Sequence, residues 1–264
     1  MKRPYYDSRK GGHLSRIYNL DAATLLDSLP ESSADIIFLD PPFNIGKRYE
    51  IEGFRDKEDP DIYFGWITAI LRRAVACLKP GGALYFYHVP SMAYKVAAAL
   101  DHQLEFRHWI AVSMKNGFVR GRRLYPAHYA LLYFTKGEPS HFDRPKLRPT
   151  TCRHCGKLSK DYGGYRSIIE EKGINLSDFW EDLSPLRHKT TKSRKANELP
   201  PLLFDRILAI SGCLDGTFVD PFLGSGGGLL AARRAHMDSI GGDASTESCE
   251  LATQRLKQSE GELV

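Results

Sequence analysis

The chain has 264 residues, 42% hydrophobic and 26% charged, the balance of a soluble globular enzyme with a core of ordinary size. Nowhere do about 18 apolar residues run together, and Met1–Asp7 has no apolar signal region, so neither a membrane span nor a secretory signal is expected, and a cytoplasmic protein is. Five cysteines, three of them isolated, do not form a disulfide framework, and the formal charge of +5 tilts only weakly toward an anionic partner.

Arg16–Leu20 predicts a short strand ending at Asp21, and Ala22–Leu29 a helix. Asp35–Leu39 is a continuous apolar run, the mark of a parallel strand buried on both faces, and Asp40-Pro41-Pro42 breaks it. Asp61–Leu78 has helical spacing and stops at Lys79-Pro80-Gly81-Gly82. Ala83–His88 predicts a strand and Ser91–Leu100 a helix, with Ser91 as its N-cap. Trp109–Met114 and Ala130–Phe134 predict two more strands around the basic segment Lys115–His128. Between Gly137 and about Pro185 the periodicity fades, and Gly, Pro, Ser and basic residues rise. Alternation returns with a helix over Leu199–Ser211, a strand over Thr217–Val219, a glycine-rich turn, a helix over Gly228–Ala235, a strand over Ser239–Gly242 and a closing helix. Such alternation predicts an α/β fold: a doubly wound, mostly parallel sheet formed by residues 1–136 and 186–264, with a small lobe inserted at 137–185.

Asp40-Pro41-Pro42-Phe43 is the sharpest feature. It follows a buried strand, where open α/β sheets place ligands. Consecutive prolines have no N–H groups but keep their carbonyls, so with the Asp40 carboxylate they form a rigid edge rich in acceptors. An exocyclic amine on adenine or cytosine offers two N–H donors, and its lone pair is withdrawn into the ring. Acceptors on both hydrogens can free that lone pair, and Phe43 can stack on a base extruded from its helix. By itself the tripeptide also reads as a turn that ends a strand.

A second strand–turn–helix unit carries Asp220-Pro221-Phe222-Leu223-Gly224-Ser225-Gly226-Gly227-Gly228. Glycines admit a ligand close to the backbone, and the helix N-terminus favours an anionic group. Asp243 ends the next strand, about 20 residues on, where an acid holding ribose hydroxyls is expected. No phosphate-seeking lysine follows, which excludes a P-loop.

Together these motifs resemble those of the β-class DNA amino-methyltransferases, in which the catalytic motif precedes the cofactor loop. Leu78-Lys79-Pro80-Gly81-Gly82 resembles the family's helix-to-strand turn, and His188-Lys189-Thr190-Thr191-Lys192 stands where H-P-T-Q-K-P is usual. The resemblance implies a Rossmann-like methyltransferase fold, S-adenosylmethionine as cofactor, and methyl transfer to adenine N6 in duplex DNA, with cytosine N4 as the alternative. The acidic Asp40 resembles adenine enzymes more often than cytosine ones. It further implies that Asp40, Pro41, Pro42 and Phe43 are catalytic, with Asp40 also at the cofactor. Asp21 would lie near the cofactor adenine, and Asp220, Phe222, Gly224, Ser225 and Gly226 would form its pocket. Asp243 would hold the ribose, and His188, Thr190 and Lys192 would close over the methionine end. Gly227-Gly228 departs from the usual Thr-Thr, and Lys189 and Thr191 from the usual Pro and Gln.

The lobe at 137–185 falls where the family keeps its target-recognition region. Basic residues interleave with aromatics there and in the basic segments, so DNA contacts are expected from Lys115, Arg120, Arg122, Arg123, Arg153, Lys157, Tyr162 and Arg187. The implied partner is double-stranded DNA, which places the protein at the nucleoid; a homodimer and a cognate restriction endonuclease are further candidate partners. Cys152-Arg153-His154-Cys155-Gly156 lacks a second C-x-x-C and reads as a loop turn, with no metal expected. His88, His102, His108 and His128 read as structural or DNA-facing. A nicotinamide oxidoreductase would also explain the glycine loop, and a non-catalytic DNA-binding module the charge; neither accounts for Asp40.

Overall fold

The computed structural model describes residues 3–46, 56–113, 121–122, 124–149, 151–152, 154–158, 162–183 and 198–261. Its elements, in chain order, are β1 (Tyr6–Lys10), β2 (His13–Tyr18), α1 (Ala22–Asp27), β3 (Ala34–Leu39), α2 (Pro60–Cys77), β4 (Leu78–His88), α3 (Pro90–Leu100), β5 (Glu105–Ser113), β6 (His128–Thr135), β7 (Lys146–Leu147), α4 (Arg166–Lys172), β8 (Ile174–Asn175), β9 (Phe179–Trp180), α5 (Pro201–Ser211), β10 (Thr217–Asp220), α6 (Gly227–Arg234), β11 (Asp238–Gly242) and α7 (Thr246–Gly261). One sheet takes nine of the strands in the order β1-β2-β11-β10-β3-β4-β6-β5-β9. Neighbours from β2 to β4 are all parallel, β6 runs against β4 and β5, and β9 lies parallel to β5. This is the expected doubly wound, mostly parallel, Rossmann-like sheet.

Successive side chains of a strand point to opposite faces, so the apolar run in β3 feeds two cores. Ile37 and Leu39 pack with Leu26, Ile67, Leu71 and Val96 from α1, α2 and α3. Ile36 and Phe38 pack on the other face with Phe204, Ile207, Leu229 and Leu256 from α5, α6 and α7. The winding reverses between β3 and β10: from β3 the chain steps outward to β4, from β10 to β11. These two strands are direct neighbours, with Phe218 opposite Ile36 and Val219 opposite Ile37. A crevice therefore opens at their carboxyl ends.

Three local expectations change. The N-terminal segment adds a strand, because Gly11-Gly12, at φ 58° and 90°, makes the two-residue turn of a hairpin joining β1 to β2. Ser91 is not the cap of α3: the helix starts at Pro90, its N-cap is Val89, and no side chain caps it. Proline needs no N–H partner in the first turn, which is why the helix begins one residue early. Lys79–Gly82 lies within β4, with the ladder to β3 shifted between Ala34 and Ile36.

In the 137–185 segment, β7 and β8 pair as a separate two-stranded sheet and α4 stands between them. The far end joins the main sheet through β9, and Trp180 and Leu183 are buried in the core beneath α5. The Arg206 guanidinium grips the Asp182 carboxylate with both Nη atoms and lies 5.3 Å over the Trp180 ring. That paired hydrogen bonding, working against some burial, holds the Asp182 carboxyl below its ordinary range. Among the described residues, no helix is long and apolar enough to cross a membrane.

Candidate active site

Asp40 leaves the carboxyl end of β3, and Asp220 is the last residue of β10 beside it. Asp220 is 2% exposed. Burial raises its carboxyl well above the usual carboxylate range, and the charges of Asp40 and Asp243 push it further, against one opposing hydrogen bond from the Phe222 N–H at 3.1 Å. The two motifs therefore face each other across one crevice, with the acid that follows β11 as a third neighbour. Such a trio favours a cationic ligand. S-adenosylmethionine carries its charge as a sulfonium and an ammonium and suits these walls; the pyrophosphate of a nicotinamide dinucleotide would be repelled.

The glycine loop is a self-supporting turn. Leu223 N–H donates to the Gly242 carbonyl at 2.9 Å, and Gly226 N–H to the Leu223 carbonyl at 2.9 Å. Asp243 accepts from Gly224 N–H at 2.9 Å and from Ser245 N–H at 2.8 Å, tying the β11 end to the loop. Ser225 turns inward: its hydroxyl donates to Glu198 at 2.9 Å, and Arg255 Nη1 lies 2.9 Å from Glu198 and 2.8 Å from the Ser225 hydroxyl and carbonyl. Gly226, at φ 77°, caps α6 in the left-handed region. The Gly227-Gly228 departure has a packing reason: a Cβ at Gly227 would stand 3.0 Å from Phe204, and one at Gly228 2.8 Å from the buried Phe218 ring and 3.1 Å from Asp220 Oδ2. Asp21 caps α1 at the same edge of the sheet, accepting from the Thr24 N–H at 3.0 Å and hydroxyl at 2.6 Å. Partial burial works to raise its carboxyl, but the Thr24 bonds outweigh it and hold the group below its usual range.

The Asp40–Phe43 tip is fixed from several sides. Tyr63, on α2, donates its hydroxyl to the Pro42 carbonyl, and the Tyr63 hydroxyl oxygen lies 2.9 Å from His88 Nε2 at the end of β4. Phe43 is buried against His88, Tyr87 and Tyr129, with ring centroids 4.6, 6.0 and 5.7 Å away. Burial, then the Asp40 charge, keeps the Tyr87 and Tyr129 hydroxyls from ionising, so two neutral phenols stand beside the carboxylate. Beyond Phe43, Asn44 adopts φ 57°. The Asp56 carboxylate accepts from the Asn44 and Ile45 N–H groups at 2.6 and 3.2 Å and pins the exit from the tip. Across the crevice, Trp66 meets Phe222 edge-on at 6.0 Å.

Sequence reasoning missed Tyr63, Tyr129, Glu198 and Arg255, and named His88 only as structural or DNA-facing. His88 carried a signal, since it ends a buried strand at the ligand-binding side; Tyr63 and Arg255 lie on helices, Tyr129 near the start of β6 and Glu198 in the loop before α5, with no local mark. Of the expected DNA contacts, Arg122 and Lys157 are exposed, and Tyr162 opens a short 3-10 turn. Lys115, Arg120, Arg123, Arg153, Arg187, His188, Thr190 and Lys192 lie outside the described residues. Cys152 and Cys155 sit on a tight turn in which Gly156 N–H donates to the Cys152 carbonyl at 2.9 Å. No cluster of three metal-ligating side chains occurs among the described residues.

Comparison with known proteins agrees with this geometry. Residues 34–254 match the DNA methylase family of N6/N4 type. The chain is 39% identical over 256 residues to the Type II methyltransferase M.BamHI of Bacillus amyloliquefaciens, covering 97% of this chain and 59% of that protein. It thus spans little more than half the length of that relative. Among solved structures, the PvuII DNA methyltransferase, described as cytosine-N4-specific, shares the fold with a TM-score of 0.69 at 16% identity, over 96% of this chain and 89% of that one. The M1.HpyAVI–SAM complex gives 0.60 at 19% identity, over 92% and 98%. A family match over most of the chain, with the Asp40–Phe43 tip ahead of the glycine loop on neighbouring strands, leads to one conclusion: the chain belongs to the DNA methylase family of N6/N4 amino-methyltransferases, with the motif order of the β class.

Proposed function

We propose that this protein methylates an exocyclic base amine in double-stranded DNA, adenine N6 in the first reading, with S-adenosylmethionine as donor. The observation that carries the proposal is the adjacency of the acceptor-only tip on β3 and the acidic, glycine-lined pocket on β10. Bound S-adenosylmethionine supplies a methyl carbon already activated by the charged sulfur. The protein has to bring a nitrogen lone pair to that carbon. Asp40 and the Pro41 carbonyl accept the two amine hydrogens, draw the nitrogen out of conjugation, and Asp40 faces the proton that the amine sheds. Phe43 presents an aromatic wall to the extruded base. The cofactor is held by Asp220, Phe222, Gly224, Gly226 and Asp243, with Asp21 at the edge nearest its adenine and the His188–Lys192 segment over its methionine end. Ser225 braces the loop through Glu198 and Arg255. Rate comes from orientation and from acceptors in place before the reaction. Arg122, Lys157 and the other basic residues expected to meet DNA provide phosphate contacts, within a restriction–modification setting that includes a cognate endonuclease.

The second reading is cytosine N4, the specificity stated for the PvuII enzyme whose fold the chain shares. Both amines present two N–H donors and a delocalised lone pair, so the same acceptors serve either. The test is nucleoside mass spectrometry of unmethylated DNA incubated with the purified chain and S-adenosylmethionine, beside an Asp40→Ala variant. N6-methyldeoxyadenosine is expected from the wild-type chain, and a rate at least about 100-fold lower from the variant. N4-methyldeoxycytidine would move the assignment to the second reading. No methylated nucleoside, or an Asp40→Ala variant as active as wild type, would overturn the proposal.

A further inference from the structure

Tyr63 and His88 form a buried hydrogen-bond chain that ends on the catalytic tip. His88 is fully buried at the end of β4, and Tyr63 is 5% exposed on the first turn of α2. The direction of the chain follows from one bond. Val89 N–H donates to His88 Nδ1 at 2.8 Å, so Nδ1 carries a lone pair and the ring proton sits on Nε2. His88 Nε2–H therefore donates to the Tyr63 hydroxyl at 2.9 Å, and the Tyr63 O–H donates to the Pro42 carbonyl. A protonated His88 would set two donors against each other at Nδ1, so the packing favours the neutral ring. The same ring lies parallel to Phe86 at 5.6 Å and meets Phe43 at 4.6 Å. One imidazole thus steadies the tip twice, through the Pro42 carbonyl and through the Phe43 ring.

We propose that Tyr63 and His88 are positioning residues for methyl transfer, which hold the Asp40–Phe43 tip at the distance and angle the target amine requires. The proposal rests on the methyltransferase reading above. Asp40-Pro41-Pro42 has no N–H at its two proline positions with which to anchor itself to the sheet. Its fixed points must come from donors reaching its carbonyls, and Tyr63 is one of them. A hydrogen bond polarised by a second donor behind it is stronger than the same bond alone. Displacing a reacting group by about 1 Å costs about 100-fold in rate even when nothing that touches substrate has changed. Neither side chain is offered as a catalytic residue: both lie behind the tip.

Tyr63→Phe keeps the ring and its packing and removes only the terminal donor. His88→Leu removes the donor behind it, and His88→Gln puts an amide N–H where Nε2–H was. Single-turnover methylation of DNA, with separate titrations of S-adenosylmethionine and DNA binding, reads the result in the full chain. Tyr63→Phe is expected to slow transfer about 10–100-fold while both affinities stay within about threefold. His88→Leu should slow transfer similarly, His88→Gln should recover most of the rate, and the Tyr63→Phe/His88→Leu pair should lose little more than either alone, because both act through one carbonyl. A Tyr63→Phe protein that transfers methyl within twofold of wild type would overturn the assignment, as would a loss that appears wholly in DNA or cofactor affinity. If wild type itself methylates nothing, the methyltransferase reading fails instead, and the two failures are told apart in one experiment.

Discussion

Replacing Asp220 by Asn tests whether the crevice is built for a cation. The side chain keeps its size and can still accept from the Phe222 N–H, which Asp220 Oδ1 does at 3.1 Å, so the change is mainly one of charge. A carboxylate about 6 Å from a unit positive charge, at an effective dielectric of about 20, interacts by about 3 kcal/mol. Ionising Asp220 beside Asp40 and Asp243 offsets part of that, because burial and those two charges already raise its carboxyl. A net loss of about 1.5 kcal/mol remains, or about tenfold in affinity. Calorimetric titration with S-adenosylmethionine should show this loss, whereas the thioether product, which lacks the sulfonium charge, should bind within about twofold of wild type. The cofactor-free protein should respond in the opposite sense. A carboxyl raised on folding favours the folded state below the unfolded value of about 3.9, and that contribution disappears as pH rises through the folded value. The Asn side chain does not titrate, so the cofactor-free Asp220→Asn protein should lose less melting temperature than wild type as the pH is raised from acid to alkaline. Equal losses for the two ligands, or a variant that loses as much melting temperature as wild type over the same pH rise, would refute the idea that these acids select for charge.

Gly228→Ala should destabilise the fold by about 1–3 kcal/mol, since its Cβ would meet the buried Phe218 ring at 2.8 Å. In a thermal melt that is a drop of about 2–10 °C, together with weaker cofactor binding, because Asp220 Oδ2 lies only 3.1 Å from the same added carbon. The Arg206–Asp182 pair predicts a pH dependence. Asp182 is lowered on folding, so its contribution is full above the unfolded carboxylate range and fades as acid protonates it. Its side chain is 54% exposed, which limits the effect to at most about 1 kcal/mol. Urea titrations at pH 7 and pH 3 should show a smaller acid loss for Asp182→Asn than for wild type.

Most of the fold was legible because the buried strands announce themselves. Ala34–Leu39 has no polar side chain after Asp35, and only a strand covered on both faces tolerates that. The tip and the glycine loop were legible for a related reason: proline pairs and glycine runs are expensive inside regular structure and so mark places where the backbone itself is used. Groups behind the tip were hidden. Tyr63 lies on an ordinary helical face, and nothing local shows that its hydroxyl, rather than its ring, matters. Ser225 looked like a ligand contact, but its hydroxyl is occupied by Glu198 and Arg255, which are 27 and 30 positions away. Pairings of that length are set by how helices pack on the sheet, and a single sequence carries no trace of them. The end of the inserted segment was hidden too: β9 is two residues long, too short for period-two alternation to show.

The site is made by strand adjacency, not by chain proximity. At the amino ends of the same two strands, Asp35 accepts from the Thr217 N–H at 2.7 Å across 182 positions of sequence, and from Lys79 at 2.6 Å. These bonds set the height of β10 against β3 and β4. The ladder of Phe218 to Ile36 and Val219 to Ile37 carries that height to the crevice, where Asp220 and Asp40 emerge. A one-residue slip would turn every side chain of β10 to the opposite face and bury the wrong ones, so the register is held by the two cores as well. The segment carrying β7, α4 and β8 takes no part in these ladders, so its length and sequence can change without moving the acids relative to each other, provided β5, β6 and β9 still close the sheet edge. Change in that segment is thereby uncoupled from the geometry of the crevice. The carboxyl-end crevice stays constant because its dimensions belong to the sheet.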